Sequence, residues 1–293
     1  MRHQLWIGGL LAAAFAASSA IGAQAPAAGP AAGNGTSKPT PKLSDGHPDL
    51  NGTWELRDGG VTFLRPQKLA NGSVCVINCG AAILDANGNV LPPAGRGARA
   101  GAPAAPPAPK FPKYKPEFLA KVKDLSDRQV QTDTLLRCEA PGVPRIGPPA
   151  KIVQTSREVV FMYDDVNGGF FRVIPIDGRP HRKGLQDSYL GDAIGHWESD
   201  TLVVDTVNFN DETWLIDNGA FHTKALKVVE RLRRVGDTIE YRATAYDPAV
   251  LVEPWNVTPR TMWLTTREIE EPSRCQDRDL EHIVDGSHHD NAR

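Results

Sequence analysis

The chain has 293 residues, with 33 basic and 35 acidic side chains and a formal net charge of −2. That balance argues against a polyanion-binding surface, since nucleic-acid domains carry a basic excess or stripe. The length allows two domains, but two Ala/Pro-rich tracts remove much of it from any core.

Residues 1–23 read as a secretory signal. Arg2 and His3 begin it, Leu5–Ala17 is apolar, and Ala20-Ile21-Gly22-Ala23 supplies small residues for cleavage. The apolar run is shorter than the ~20 residues of a membrane span, so the mature chain is expected to be periplasmic or secreted and off the membrane. Residues 24–42 are expected to form a disordered leader, and residues 43–285 a single domain interrupted by a surface insertion at 92–109. Residues 286–293 are read as a flexible tail. An oxidising compartment makes Cys75, Cys79, Cys138 and Cys275 disulfide candidates. Of three complete pairings, Cys75–Cys79 with Cys138–Cys275 is favoured. No paired C-x-x-C units point to zinc, and no metal or cofactor is expected.

The folded part opens at Asp49–Glu55, where a Gly followed by Trp54 suits a barrel end plugged by the ring. Pro116 starts a helix expected to run to about Leu136, with Phe118, Leu119, Val122 and Leu125 near helical spacing. Strands follow at Ile152–Thr155, Val159–Tyr163 and Phe170–Ile176, then at Gly195–Glu198 and Thr201–Phe209 around Ser199-Asp200. Leu226–Arg233 and Thr238–Tyr246 flank a turn at Arg234–Asp237, and Thr258–Arg267 closes the series. Short turns imply an antiparallel meander, and closure into a barrel hides its edges. The fold expected is mainly β, a lipocalin-like antiparallel barrel with one or two peripheral helices.

Alternation then sorts the polar residues. Glu230 shares a face with Leu226, Val228 and Leu232, while Arg172 shares one with Phe170 and Ile174. Glu230 is therefore either half of a buried ion pair with Arg172 or an acid–base group tuned by burial. Asp205 lies between Val203 and Val207; it satisfies backbone groups at a rim or, facing the lumen, orients a histidine. His181, after Asp177-Gly178-Arg179-Pro180, and His222, just before a strand, sit at strand ends where loops carry ligand contacts. Arg179 and Asn208 are candidate substrate or oxyanion contacts, with Arg172 beside them. Tyr163, Trp214 and Trp255 are candidate pocket linings, although such aromatics are more often core. His196 and Glu198 read as a solvent face. No nucleophile elbow, P-loop, dinucleotide fingerprint or H-E-x-x-H is present.

The segments PDLNGTWE, RCEAPGVPR, VIPIDGRPH, GHWESDTLVVDTVNF, FHTKALKVVERLRR and YDPAVLVEPW resemble those of a large family of exported proteins of soil bacteria. They cover most of the folded region, and the resemblance implies export without implying a particular reaction. The NGTWE opening is similar to the Gly-x-Trp start of lipocalin-like, or calycin, barrels, which implies a cup for a small ligand. Fold likeness supplies no function.

The leading expectation is an exported β-barrel enzyme carrying out cofactor-independent acid–base chemistry on a small organic molecule, as a lyase, isomerase or hydrolase. His181, His222, Asp205 and Glu230 would do the proton work. The alternatives are a binding protein for a small apolar ligand and an envelope-interaction module whose ion pairs are structural. The expected partner is a small molecule and not nucleic acid, and the oligomeric state is left open.

Overall fold

The structure, a computed structural model, describes residues 38–57, 67–68, 72, 74–76, 83–84, 90–91, 110–165 and 167–271. The expected signal, the insertion at 92–109, the tail, Cys79 and Cys275 all lie outside these residues. No described helix is long and apolar enough to cross a membrane. Neither Cys75 nor Cys138 is a free thiol.

Strand β1 is Gly52–Leu56. Two short ladders follow, β2 (Gln67–Lys68) with β3 (Val74–Cys75) and β4 (Ile83–Leu84) with β5 (Val90–Leu91). The expected long helix is instead broken into a 3-10 turn at Pro116–Phe118, α1 (Leu119–Asp127), α2 (Gln129–Thr132) and a second 3-10 turn at Thr134–Arg137. Two side chains account for the break. Asp133 is extended and its carboxylate accepts from the Leu135 amide, capping the last turn. Gln129 is drawn inward, where its Oε1 accepts from the Val76 amide at 2.8 Å.

The remaining strands are β6 (Lys151–Gln154), β7 (Glu158–Met162), β8 (Phe171–Pro175), β9 (Asp192–Glu198), β10 (Thr201–Val207), β11 (Lys227–Val235), β12 (Thr238–Tyr246), β13 (Trp255–Asn256) and β14 (Arg260–Thr265). They form one sheet with β1, in the order β8-β7-β6-β1-β14-β12-β11-β10-β9, and β13 pairs with β12. Every pairing is antiparallel. The expected mainly β, lipocalin-like antiparallel barrel with peripheral helices is the architecture observed. Alternation works as the sequence implies: Leu202, Val204 and Thr206 of β10 and Val228, Glu230 and Leu232 of β11 point inward, and all are buried.

Both ends of the barrel are filled. At one end Trp54 is buried, its Nε1 donates to the Leu50 carbonyl at 3.1 Å, and the Arg234 guanidinium lies 5.1 Å from its ring. Residues 38–42, expected to be the end of a disordered leader, are tied in here. Thr40 Oγ1 accepts from the Gly236 amide, and Lys38 pairs with Asp237. At the other end Tyr114, Val122, Trp214, Phe221 and Trp255 extend the barrel core into a cap.

The barrel is not zipped all the way round. β8 and β9 are the two ends of the sheet order, and no ladder joins them. They approach closely through side chains instead. Gly195 of β9 leaves room for Ile174 and Ile176, whose Cγ2 atoms lie 3.0 and 2.9 Å from where its Cβ would be. Residues 176–191 then cross the outer face of β9 and dock on the end of β10, where the Ser188 amide donates to the Asn208 carbonyl at 3.2 Å.

Candidate functional site

Inside the barrel, the guanidinium of Arg172 on β8 bridges the unzipped edge. Nη1 donates to Glu230 Oε2 at 2.6 Å and to the Tyr163 hydroxyl at 3.0 Å, and Nη2 donates to Thr206 Oγ1 at 2.6 Å. Tyr241 donates to the other oxygen of Glu230 at 3.0 Å. Glu230 is 0% exposed and Arg172 5%, so neither charge has water to lean on. Burial works against the Arg172 charge, but the Glu230 carboxylate outweighs it and holds the guanidinium above its ordinary range. Burial, reinforced by Glu230, pushes the Tyr241 hydroxyl up, and burial also raises Tyr163. Both hydroxyls therefore stay protonated at ordinary pH, Tyr241 donating to Glu230 and Tyr163 accepting from Arg172. Arg172 Nε has no hydrogen-bond partner among the described residues.

A second polar group lies on the outside of the same wall. Asp205 is paired in register with Val229, one position from the Val204–Glu230 pair, so Asp205 and Glu230 point to opposite faces. The lumen-facing alternative for Asp205 is thereby corrected. It nevertheless meets a histidine, because the crossover brings His181 over β9. His181 Nδ1 lies 3.0 Å from Asp192 Oδ2, and Nε2 lies 3.6 Å from Asp205 Oδ1. Arg182 donates twice to Asp192, from its amide at 3.1 Å and from Nε at 2.8 Å. Lys227 closes on the second oxygen of Asp205. Burial opposes the charge on Asp192, yet the bonds from Arg182 and His181 hold its carboxyl below the usual range. A carboxylate on Nδ1 fixes the tautomer that donates there and leaves Nε2 as the basic nitrogen. Nε2 and Asp205 Oδ1 are both sheltered from solvent and, among the described residues, without a hydrogen-bond partner.

His222 is elsewhere, in the end cap, and both its nitrogens are used. Nδ1 donates to the Thr223 carbonyl at 3.0 Å and Nε2 accepts from the Thr213 hydroxyl at 2.7 Å. At 1% exposure, burial lowers its pKa, and the ring is held neutral as a satisfied core histidine. The four residues expected to share the proton work thus fall into three places: His181 with Asp205, Glu230 with Arg172 and Tyr163, and His222 by itself.

The other candidates are structural in setting. Arg179 folds back on Asp177 at an exposed turn. Asn208, at φ 63°, donates to the Gln186 carbonyl and anchors the crossover. Trp214 is buried beneath Arg145, which is itself held by Asp133 and Asp217. Trp255 is buried and donates to the Lys110 carbonyl at 2.7 Å. His196 and Glu198 stand on the outer face with Arg231, as alternation implies. Sequence reasoning missed Asp192, Arg182 and Lys227. Asp192 precedes the recognised part of its strand, and only its alternation with Ile194 and His196 marks it.

Among the described residues, no group of three or more His, Cys, Asp or Glu is placed to hold a metal. No protein-family model, curated protein or solved structure matches the chain.

Proposed function

We propose that this is an exported barrel enzyme carrying out acid–base chemistry on a small organic molecule, with His181 as its proton carrier. One observation carries this reading. The His181 Nε2 and Asp205 Oδ1 atoms face each other across 3.6 Å, and neither has a hydrogen-bond partner among the described residues. With Nδ1–H given to Asp192, both atoms are acceptors aimed at one point. A water placed there would donate to both, a substrate hydroxyl would donate to Nε2, and in either case Nε2 would take the proton. Asp192 orients the ring and stabilises the imidazolium that forms. Lys227 holds the other oxygen of Asp205 and can swing off it at little cost, since its side chain is 46% exposed and such pairs contribute ~0–1 kcal/mol. A lyase, isomerase or hydrolase reaction can begin with such a proton transfer. Export and structural bridges at Cys75–Cys79 and Cys138–Cys275 belong to the same reading.

The test is turnover of aromatic, terpenoid and sugar-derived compounds by the wild type, His181→Gln and Asp192→Asn. The expected result is a loss of roughly 10²–10⁴-fold for His181→Gln, with folding intact. Equal product from wild type and His181→Gln refutes the reading.

A second reading, retention of a small ligand in the barrel, is favoured by the buried and unpartnered Arg172 Nε. It is distinguished by saturable retention without product, lost on Tyr163→Phe and indifferent to His181→Gln.

A further inference from the structure

The outer face of β6, β7 and β8 is unusual for a surface. Its inward residues, Ile152, Val159, Phe161 and Ile174, are fully packed, but its outward ones are apolar as well. Val153, Val160 and Val173 stand directly opposite one another across the three strands, and Met162 stands opposite Phe171 in the next row. Phe171 is 63% exposed, and Val153, Met162 and Val173 are also exposed. Across β9 to β12 the outward face carries charge instead, as in the Arg231–Glu198 and Arg233–Glu240 pairs. Contiguous exposed apolar side chains with a polar rim mark contact surfaces.

The rim identifies the partner. Lys151 ends the patch in the Met162 row, and Glu158 ends it in the Pro175 row, so opposite charges flank a neutral centre. A two-fold axis lying in the interface, crossing the strands at the Val153–Val160–Val173 row, reverses the strand direction of the second copy. It therefore lays each Lys151 end over the other copy's Glu158 end, while the valine rows meet at the axis. A patch that is its own complement under a two-fold is what an isologous dimer requires. Lys151 is lightly held at 3.4 Å by Glu268, whose side chain is 80% exposed, and can exchange partners.

We propose that the outer face of β6–β8 is a homodimer interface of this protein, centred on Val160 and closed by reciprocal Lys151–Glu158 pairs. Sedimentation velocity of the full chain over rising concentration tests it. A reversible dimer is expected, weakened about 30-fold or more by Phe171→Lys, a hot-spot-sized effect. Phe171 is exposed, so this variant keeps its fold, which circular dichroism checks. Lys151→Glu and Glu158→Lys should each weaken the dimer, and the double variant, which restores opposite charges, should recover it. A concentration-independent monomer up to roughly 100-fold above micromolar, well past the range of specific interfaces, overturns the proposal. So does a dimer that none of these substitutions moves.

Discussion

Replacing Arg172 by Met tests whether the barrel's interior ion pair is stabilising in itself or only costly to break. The substitution keeps the length of the side chain but removes the bonds to Glu230, Tyr163 and Thr206. Glu230, which is 0% exposed, would be left with only the Tyr241 hydroxyl. Stranding one member of a buried pair costs about 3–5 kcal/mol, and Glu230→Leu, which strands the guanidinium, belongs in the same range. The double variant strands neither, since both sites become apolar within the same core. It does remove the bonds held by the buried Tyr163, Thr206 and Tyr241 hydroxyls, at roughly 1–3 kcal/mol for a group left unsatisfied, so it should cost clearly less than the two single variants added together. Denaturant unfolding under non-reducing conditions gives all four corners of the cycle. Single variants costing less than about 1 kcal/mol, or a double variant costing their sum, refute the reasoning.

Two other expectations concern closure and acid stability. Gly195→Val places a Cβ against Ile174 and Ile176 at the unzipped edge, and should cost about 1–3 kcal/mol by overpacking. Ile176→Ala in the same chain should recover part of that loss in thermal unfolding; no recovery means the edge is not packed as described. His222 has a pKa lowered by burial from its ordinary value of 6.5. The native state therefore refuses a proton that the unfolded chain accepts below about pH 6.5. Stability should fall by up to about 1.4 kcal/mol per pH unit below that point, until the native-state value is passed. His222→Gln should flatten this slope in denaturant titrations between neutral and mildly acid pH, and an unchanged slope assigns the acid loss to other groups.

The strands and their faces were legible because a single rule of alternation governs both. It placed Glu230 opposite an arginine inside the wall and identified Arg172 as the candidate. It also set His196 and Glu198 on the solvent side, and the glycine-tryptophan opening announced the plugged end. What alternation does not encode is where a strand begins or how an irregular crossover returns. Asp192 was missed because strand β9 starts three residues before the expected Gly195. His181 reaches Asp192 and Asp205 only through the crossover, whose path depends on distant docking at Asn208 and Ser188. The helix breaks for the same kind of reason. Gln129 is polar by type, yet it turns inward to meet an amide that lies far away in sequence.

The edges of β8 and β9, unpaired among the described residues, bear on how this protein avoids misassembly. A sheet with two free edges offers two rows of backbone donors and acceptors to any neighbouring chain, a hazard that closed barrels do not have. Here the two edges face each other, and the crossover at residues 176–191 belts β8 to β10 over the back of β9. Arg172 holds the inside of the join, while His181 and Arg182 hold the outside through Asp192. The belt therefore guards against strand swapping as well as carrying His181 to Asp192 and Asp205, and loosening it would turn a self-contained barrel into a template for other copies.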